Sequence, residues 1–128
     1  RNVTGVQTCA LPISWDALHR LLADGELTWN GGAYPLNHVV LAGERLYSKN
    51  DYLISLKTQS QVQDISKAIE RLDEEEFRRR YFRINAKSYG EPLSVEDFNS
   101  TWDWFQGVRS LYTRAAAANR FVLFTADQ

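Results

Sequence analysis

The length, composition and charge of the chain indicate one globular domain and exclude several classes of partner. It has 128 residues, of which 44% are hydrophobic and 24% charged, as in an ordinary compact domain. The net charge of −1 provides no overall field for nucleic acid or an anionic membrane, so we expect neither as a partner. Since no apolar run approaches the roughly 20 residues that span a bilayer, we expect a soluble protein in the cytoplasm.

The first residues of the chain resemble a translated sequencing-library adapter. Residues 3–13 read VTGVQTCALPI, which matches one reading frame of such an oligonucleotide, whereas a signal peptide would not be interrupted by Pro12. We therefore predict that residues 1–13 are a non-native segment and that residues 14–128 form a single, N-terminally truncated domain. Because Gly5, Pro12 and the polar residues give neither a helical nor a strand period, this segment should be loosely attached or merely fill space. Its deletion should hardly change the Tm.

Cysteine and methionine usage supports this interpretation. Cys9, the only cysteine, lies in the adapter-like segment, so the native part offers no disulfide, thiolate nucleophile or cysteine metal ligand. The chain contains no methionine, and we interpret it as a metagenomic fragment of a longer sequence.

Apolar spacing predicts two helices in the first third of the native part. Trp15, Leu18, Leu21 and Leu22 recur at helical intervals, with Ser14 in the N-cap position and Gly25 just past the end. Residues 26–34, which include Asn30-Gly31-Gly32, indicate a loop. Pro35 suits the first position of a short second helix that ends before Gly43.

The middle of the chain predicts a strand followed by two capped helices. Residues 52–56 are apolar, and polar residues, including Lys57, bound them, which favours a strand. Thr58 and Gln61 form a capping box for a helix to Leu72. Asp73 and Glu76 repeat the start signal for a further helix that carries Phe77 and Tyr81 inward.

The last third predicts a long core helix and a terminal strand. Ser94 begins the helix, Asn119 ends it in the left-handed conformation, and residues 120–125 read as a strand buried on both faces. The predicted core against the two strands comprises Ile65, Ile69, Phe98, Trp102, Phe105, Val122 and Leu123.

In their order, these segments resemble the YfbM-like family, a bacterial family of unknown function (domain of unknown function 1877). Its features are residues 15–22 (WDALHRLL), Pro35-Leu36 leading to residues 39–43, the strand and capped helix followed by residues 73–77 (DEEEF), and the final helix with its strand. The resemblance spans residues 15–125.

The resemblance implies a fold but no activity. It implies an α+β fold, a compact and mostly helical single domain with a small mixed sheet, from which the family's N-terminal strand and helix are missing. Two departures stand out: Ala42 replaces a usual glycine, and residues 89–92 follow the family's Tyr-Pro turn only loosely.

Known catalytic and metal-binding motifs are absent from the sequence. His19 and His38, the only histidines, are far apart and accompany no HExxH, paired-cysteine or aspartate-rich pattern. No nucleophile elbow or phosphate-binding glycine pattern occurs. We therefore expect no metal, no cofactor and no catalytic residue.

The arginine run at residues 78–80, with Arg83, could bind phosphates because aromatic residues accompany it. A solvated ion-pair face is favoured, since three acidic residues lie one turn earlier. The expected pairs are Glu74 with Arg78, Glu75 with Arg79, and Glu76 with Arg80.

The tentative binding residues are Trp15, Asp16, His19 and Trp104. Asp16 either holds the His19 ring or pairs with Arg20, and a structural histidine on the edge of the buried face is favoured over a ligand-binding or catalytic one. Trp104 should be partly exposed, whereas Trp102 belongs to the core.

Two functions remain open. The favoured hypothesis is a non-enzymatic binding or protein-interaction module for an unknown protein or small ligand. The alternative is a small hydrolase or transferase in which Asp16 and His19 act as acid and base.

Overall fold

The computed structural model describes residues 3–8, 12–49 and 52–127. Cys9 lies outside the described residues. In chain order, the elements are β1 (Val3–Thr8), α1 (Pro12–Leu22), a short 3-10 helix (Leu36–His38), β2 (Glu44–Lys49), β3 (Tyr52–Lys57), α2 (Gln59–Glu70), α3 (Glu74–Tyr81), α4 (Ala86–Tyr89), α5 (Val95–Ala117) and β4 (Phe121–Asp127).

The four strands form one mixed sheet in the order β1-β4-β3-β2. β1 runs parallel to β4, whereas β3 is antiparallel to both β4 and β2. β4 therefore has a neighbour on each side, and its Val122 and Phe124 are buried while Leu123 is half-buried. The predicted terminal strand and the α+β class, with mostly helical content and a small mixed sheet, are confirmed.

Three helices begin as predicted. The Thr58 side chain accepts a hydrogen bond from Gln61 N, and the Gln61 side-chain Oε1 accepts one from Thr58 N, which completes the capping box of α2. Asp73 accepts from the Glu76 backbone at the start of α3. Ser94 accepts from Asp97 N at the start of α5. Each cap satisfies an otherwise orphaned helical N–H.

The core lies where α5 packs against α1, α2 and α3. Phe105 stacks on Phe77 with ring centroids 4.8 Å apart. Five of the seven predicted core residues are buried, and two are half-buried: Trp102, which meets Phe77 edge-on, and Leu123. No helix in the described ranges is long and apolar enough to cross a membrane.

α1 is present, but its start differs from the prediction. It begins at Pro12, so Ser14 lies inside the helix and the predicted N-cap is wrong. The physical reason is that proline suits a first helical turn, where a missing N–H costs nothing. Gly25 has a φ of 88°, a left-handed conformation that suits a residue beyond a helix end.

Four further segments depart from the sequence predictions. Val3–Thr8 forms β1 on β4 although its sequence has no clear period; whether residues 1–13 are adapter-derived stays a prediction. β2 and α4 were not predicted, and the expected second helix is only one 3-10 turn, which follows a cis Tyr34-Pro35 peptide bond. Pro35 is the N-cap residue of this 3-10 turn rather than its first helical residue.

Candidate functional site

His19 is buried in the structure and held by one hydrogen bond. Its exposed fraction is 0%, and its Nε2 lies 2.5 Å from Thr28 O. Burial, reinforced by the nearby Lys57, lowers the His19 pKa from 6.5 to about 4, so the ring is neutral at pH 7. Nε2–H then donates to the Thr28 carbonyl, and Nδ1 is a buried acceptor without a partner among the described residues.

Asp16 pairs with Arg20 rather than with His19. Arg20 Nε donates to Asp16 Oδ1 at 2.5 Å, and the Arg20 Nη1 donates to Ser88 Oγ at 2.9 Å. Burial raises the pKa of Asp16, although its bond to Arg20 opposes that shift. The choice that the sequence left open is thus resolved in favour of Arg20, and no hydrogen bond joins Asp16 to His19 among the described residues.

Trp15 and Trp104 meet the same aromatic ring. Phe124 makes edge-to-face contacts with both, at centroid distances of 6.4 Å to Trp15 and 6.3 Å to Trp104. Trp15 is buried, with no partner for Nε1 among the described residues, whereas Trp104 is half-buried as expected. The Phe124 ring thus lies between Trp15 and Trp104, and a binding role for these two residues, Asp16 and His19 stays a prediction.

The side chain of Lys57 is fully buried, which the sequence did not predict. Its Nζ donates to Val40 O and to Ser55 Oγ, each at 2.5 Å, and lies 5.7 Å from the centroid of Phe124. Burial lowers the pKa of Lys57 well below 10.5. Val40 O and Ser55 Oγ thus give the buried amine two hydrogen-bond acceptors. The side chain is packed inside the fold and presents no atom to solvent.

A second polar cluster joins α3, α4 and α5. Tyr81 and Tyr89 each donate to Asp97 Oδ2, at 2.7 and 2.8 Å. Burial and the Asp97 carboxylate raise the pKa of both phenols. These hydrogen bonds are internal, and they hold the three helices together.

The arginine run on α3 forms ion pairs largely as predicted. Arg78 pairs with Glu74 and Arg80 with Glu76. Arg79 pairs with Glu76, three residues earlier, instead of with Glu75. Glu76 therefore binds two guanidinium groups, and Glu75 forms no ion pair within the described part of the chain.

This face borders a surface groove of about 780 Å³, which we call the α3 groove. Its lining residues are Asp73, Glu75, Glu76, Arg78, Arg79, Phe82 and Arg83. Phe82 remains 43% exposed although it stacks on Phe98, and the Arg78 guanidinium lies 4.2 Å from the Phe98 centroid. Phe82 and Arg78, which line the groove, thus both pack against the buried Phe98 ring.

A smaller cavity of about 170 Å³ lies between the end of α1 and α3, and we call it the arginine pocket. It is lined by the arginines Arg20, Arg80 and Arg83 and, at the end of α1, by Leu21, Ala23, Asp24 and Gly25. Arg83 borders both the α3 groove and this pocket. Within the described part of the chain, no three His, Cys, Asp or Glu side chains form a group that could hold a metal ion.

The fold and these cavities define a small mixed α+β domain in which arginines line both the α3 groove and the arginine pocket. The chain belongs to the family described as "Domain of unknown function (DUF1877)", whose profile matches residues 4–125. The family match thus begins at residue 4, whereas the resemblance described from the sequence begins at residue 15. No curated protein and no solved structure matches the chain.

Proposed function

We propose that this domain is a non-catalytic interaction module that binds a segment of a partner protein in the α3 groove. The observation that carries the proposal is the exposed Phe82, held in place by Phe98 and flanked by arginines along an open groove. Aromatic and arginine side chains are enriched among the residues that contribute most to protein–protein binding. Because Phe98 fixes Phe82 and Arg78, little side-chain entropy is lost when a partner binds.

The charges of the groove favour a peptide partner over nucleic acid. Arg78 and Arg79 are each paired with a glutamate of the same helix, so the face lacks the run of free cations that phosphate backbones require. Carboxylates also line the groove, among them Asp73 and Glu75. Such a mixed rim suits a segment with both apolar and charged side chains.

The enzymatic alternative is less favoured. Asp16 is bound by Arg20, and the His19 ring donates to a backbone carbonyl at 0% exposure. A general acid or base has to come within hydrogen-bond reach of the substrate proton that it transfers, directly or through one water. We also infer a bacterial origin and a cytoplasmic location from the sequence resemblance.

Selection from a display library of random short peptides tests the proposal. The wild-type domain serves as bait, and the Phe82→Ser variant removes peptides that bind elsewhere. Leu46→Ser is the matched control, because Leu46 is also an exposed large apolar residue (50%) but lies on β2. We expect enriched peptides that bind wild type and Leu46→Ser equally and Phe82→Ser at least tenfold more weakly. No enrichment, or enriched peptides indifferent to Phe82, would overturn the proposal.

A further inference from the structure

The arginine pocket holds two of its guanidinium groups in fixed positions. Arg20 is 5% exposed and bound to Asp16 and Ser88. Arg80 donates through Nε to Glu76 Oε2 at 3.0 Å and through Nη1 to Leu21 O at 3.4 Å. The wall of the pocket is therefore preorganised by the fold.

Arg83 differs from these two arginines. Within the described residues, its guanidinium has neither an ion pair nor a hydrogen bond. Burial lowers the pKa of Arg80, and the positive charge of the nearby Arg83 lowers it further. Two neighbouring like charges repel each other, and an anion between them relieves that repulsion.

The carboxylate in the pocket lining does not form an ion pair with Arg83. Asp24 Oδ1 accepts a hydrogen bond from Glu26 N at 3.3 Å, so it is held by the loop after α1. No ion pair between Asp24 and an arginine occurs among the described residues. The pocket thus has a volume of about 170 Å³ and an uncompensated guanidinium on its wall.

We propose that Arg83, with Arg80 behind it, binds a carboxylate side chain of the partner segment that occupies the α3 groove. Arg83 lines both cavities, so a chain in the groove can turn an acidic side chain into the pocket. Guanidinium and carboxylate groups match in planar geometry and form paired hydrogen bonds. This inference rests on the proposed function, and it adds a requirement for an acidic residue.

The test uses peptides selected on the wild-type domain and a charge swap. Each peptide is made with its Glu or Asp residues changed singly to Gln or Asn, and affinities are measured for wild type and Arg83→Ala. Arg71→Ala is the matched control, because Arg71 is also an exposed arginine but lines neither cavity. We expect one acidic position whose neutralisation weakens binding to wild type by about tenfold or more but has little effect on Arg83→Ala. An Arg83→Glu variant should regain affinity for a peptide with Lys at that position.

The outcomes separate this inference from the proposed function. Peptides that require Phe82 but bind wild type and Arg83→Ala equally would overturn the carboxylate site and leave the α3 groove standing. Peptides that do not require Phe82, or no peptides at all, would overturn both. Equal losses in Arg71→Ala and Arg83→Ala would show a general charge effect and would also contradict a specific site.

Discussion

At the scale of single residues, the buried histidine and lysine are the least ordinary features of the molecule. The sequence placed His19 at the edge of the buried face, and the structure buries it fully. Lys57 could not be recognised from the sequence, because a lysine at the end of an apolar strand indicates the polar boundary of that strand. Its partners, Val40 O and Ser55, meet it only in the folded chain.

His19 should make the stability of the domain depend on pH. In the unfolded chain His19 binds a proton near pH 6.5, whereas in the folded chain it does so only near pH 4. The free energy of unfolding therefore falls as the pH drops from 6.5 to 4. The full loss is on the order of 3 kcal/mol. Urea unfolding between pH 7 and pH 4 should show this slope in wild type and a smaller one in His19→Gln.

Substitution of His19 should also lower stability at pH 7, by about 1–3 kcal/mol, because a buried hydrogen-bonded group is replaced. His38→Gln is the control, since His38 is only half-buried. Binding of the selected peptides by the folded fraction should be unchanged in His19→Gln. Unchanged stability together with lost binding would instead make the edge of α1 the functional site.

Lys57 predicts a second pH effect with the same sign at higher pH. Its pKa is lowered in the folded state, so the unfolded chain binds more protons, and stability rises as the pH approaches 10.5. Wild type should therefore gain stability between pH 7 and pH 9.5, and Lys57→Met should not. Lys67→Met, at an exposed position of α2, should keep the gain. A flat wild-type profile would contradict a lowered pKa of the buried Lys57.

At the scale of elements, local signals predicted the helices that have caps and apolar stripes. α2, α3 and α5 have side-chain caps and a regular apolar face, so their starts were readable. β2 was missed because its sequence, ERLYSK, is largely polar, as an edge strand often is. α4 was missed because it has four residues, too few for a period.

The aromatic contact between α3 and α5 should carry much of the core energy. Phe105 is 0% exposed and stacks on Phe77, so Phe105→Ala should destabilise the domain by about 3–5 kcal/mol. Val95→Ala on the same helix is the control, because Val95 is 54% exposed. Chemical denaturation measures both variants. Wild-type stability in Phe105→Ala would show that α5 does not pack as described.

At the scale of the whole molecule, the net charge conceals a local separation of charge along α3. Acidic residues occupy its first turn and arginines its last, an arrangement that complements the helix dipole. Arg83, just after the end of α3, adds another positive charge and lines the arginine pocket. The sequence predicted the ion pairs of this run but not the cavities, because these depend on how α1 and α5 pack beside α3.

Peptide binding should therefore weaken as salt is added. The contact with Arg83 is partly exposed to solvent, and ions screen such contacts over about 10 Å at 0.1 M ionic strength. Affinity should fall with ionic strength for wild type and less for Arg83→Ala. An identical salt dependence of the two proteins would contradict a charge contact at Arg83.

The most direct test of the α3 groove is to map backbone amide shifts by NMR while a selected peptide is titrated into the domain. The groove predicts that the largest changes cluster at residues 73–83 and at the start of α5, near Phe98. Trp15, Asp16, His19 and Trp104 should change little. Changes centred on those four residues, or spread evenly over the fold, would contradict the groove as the binding site.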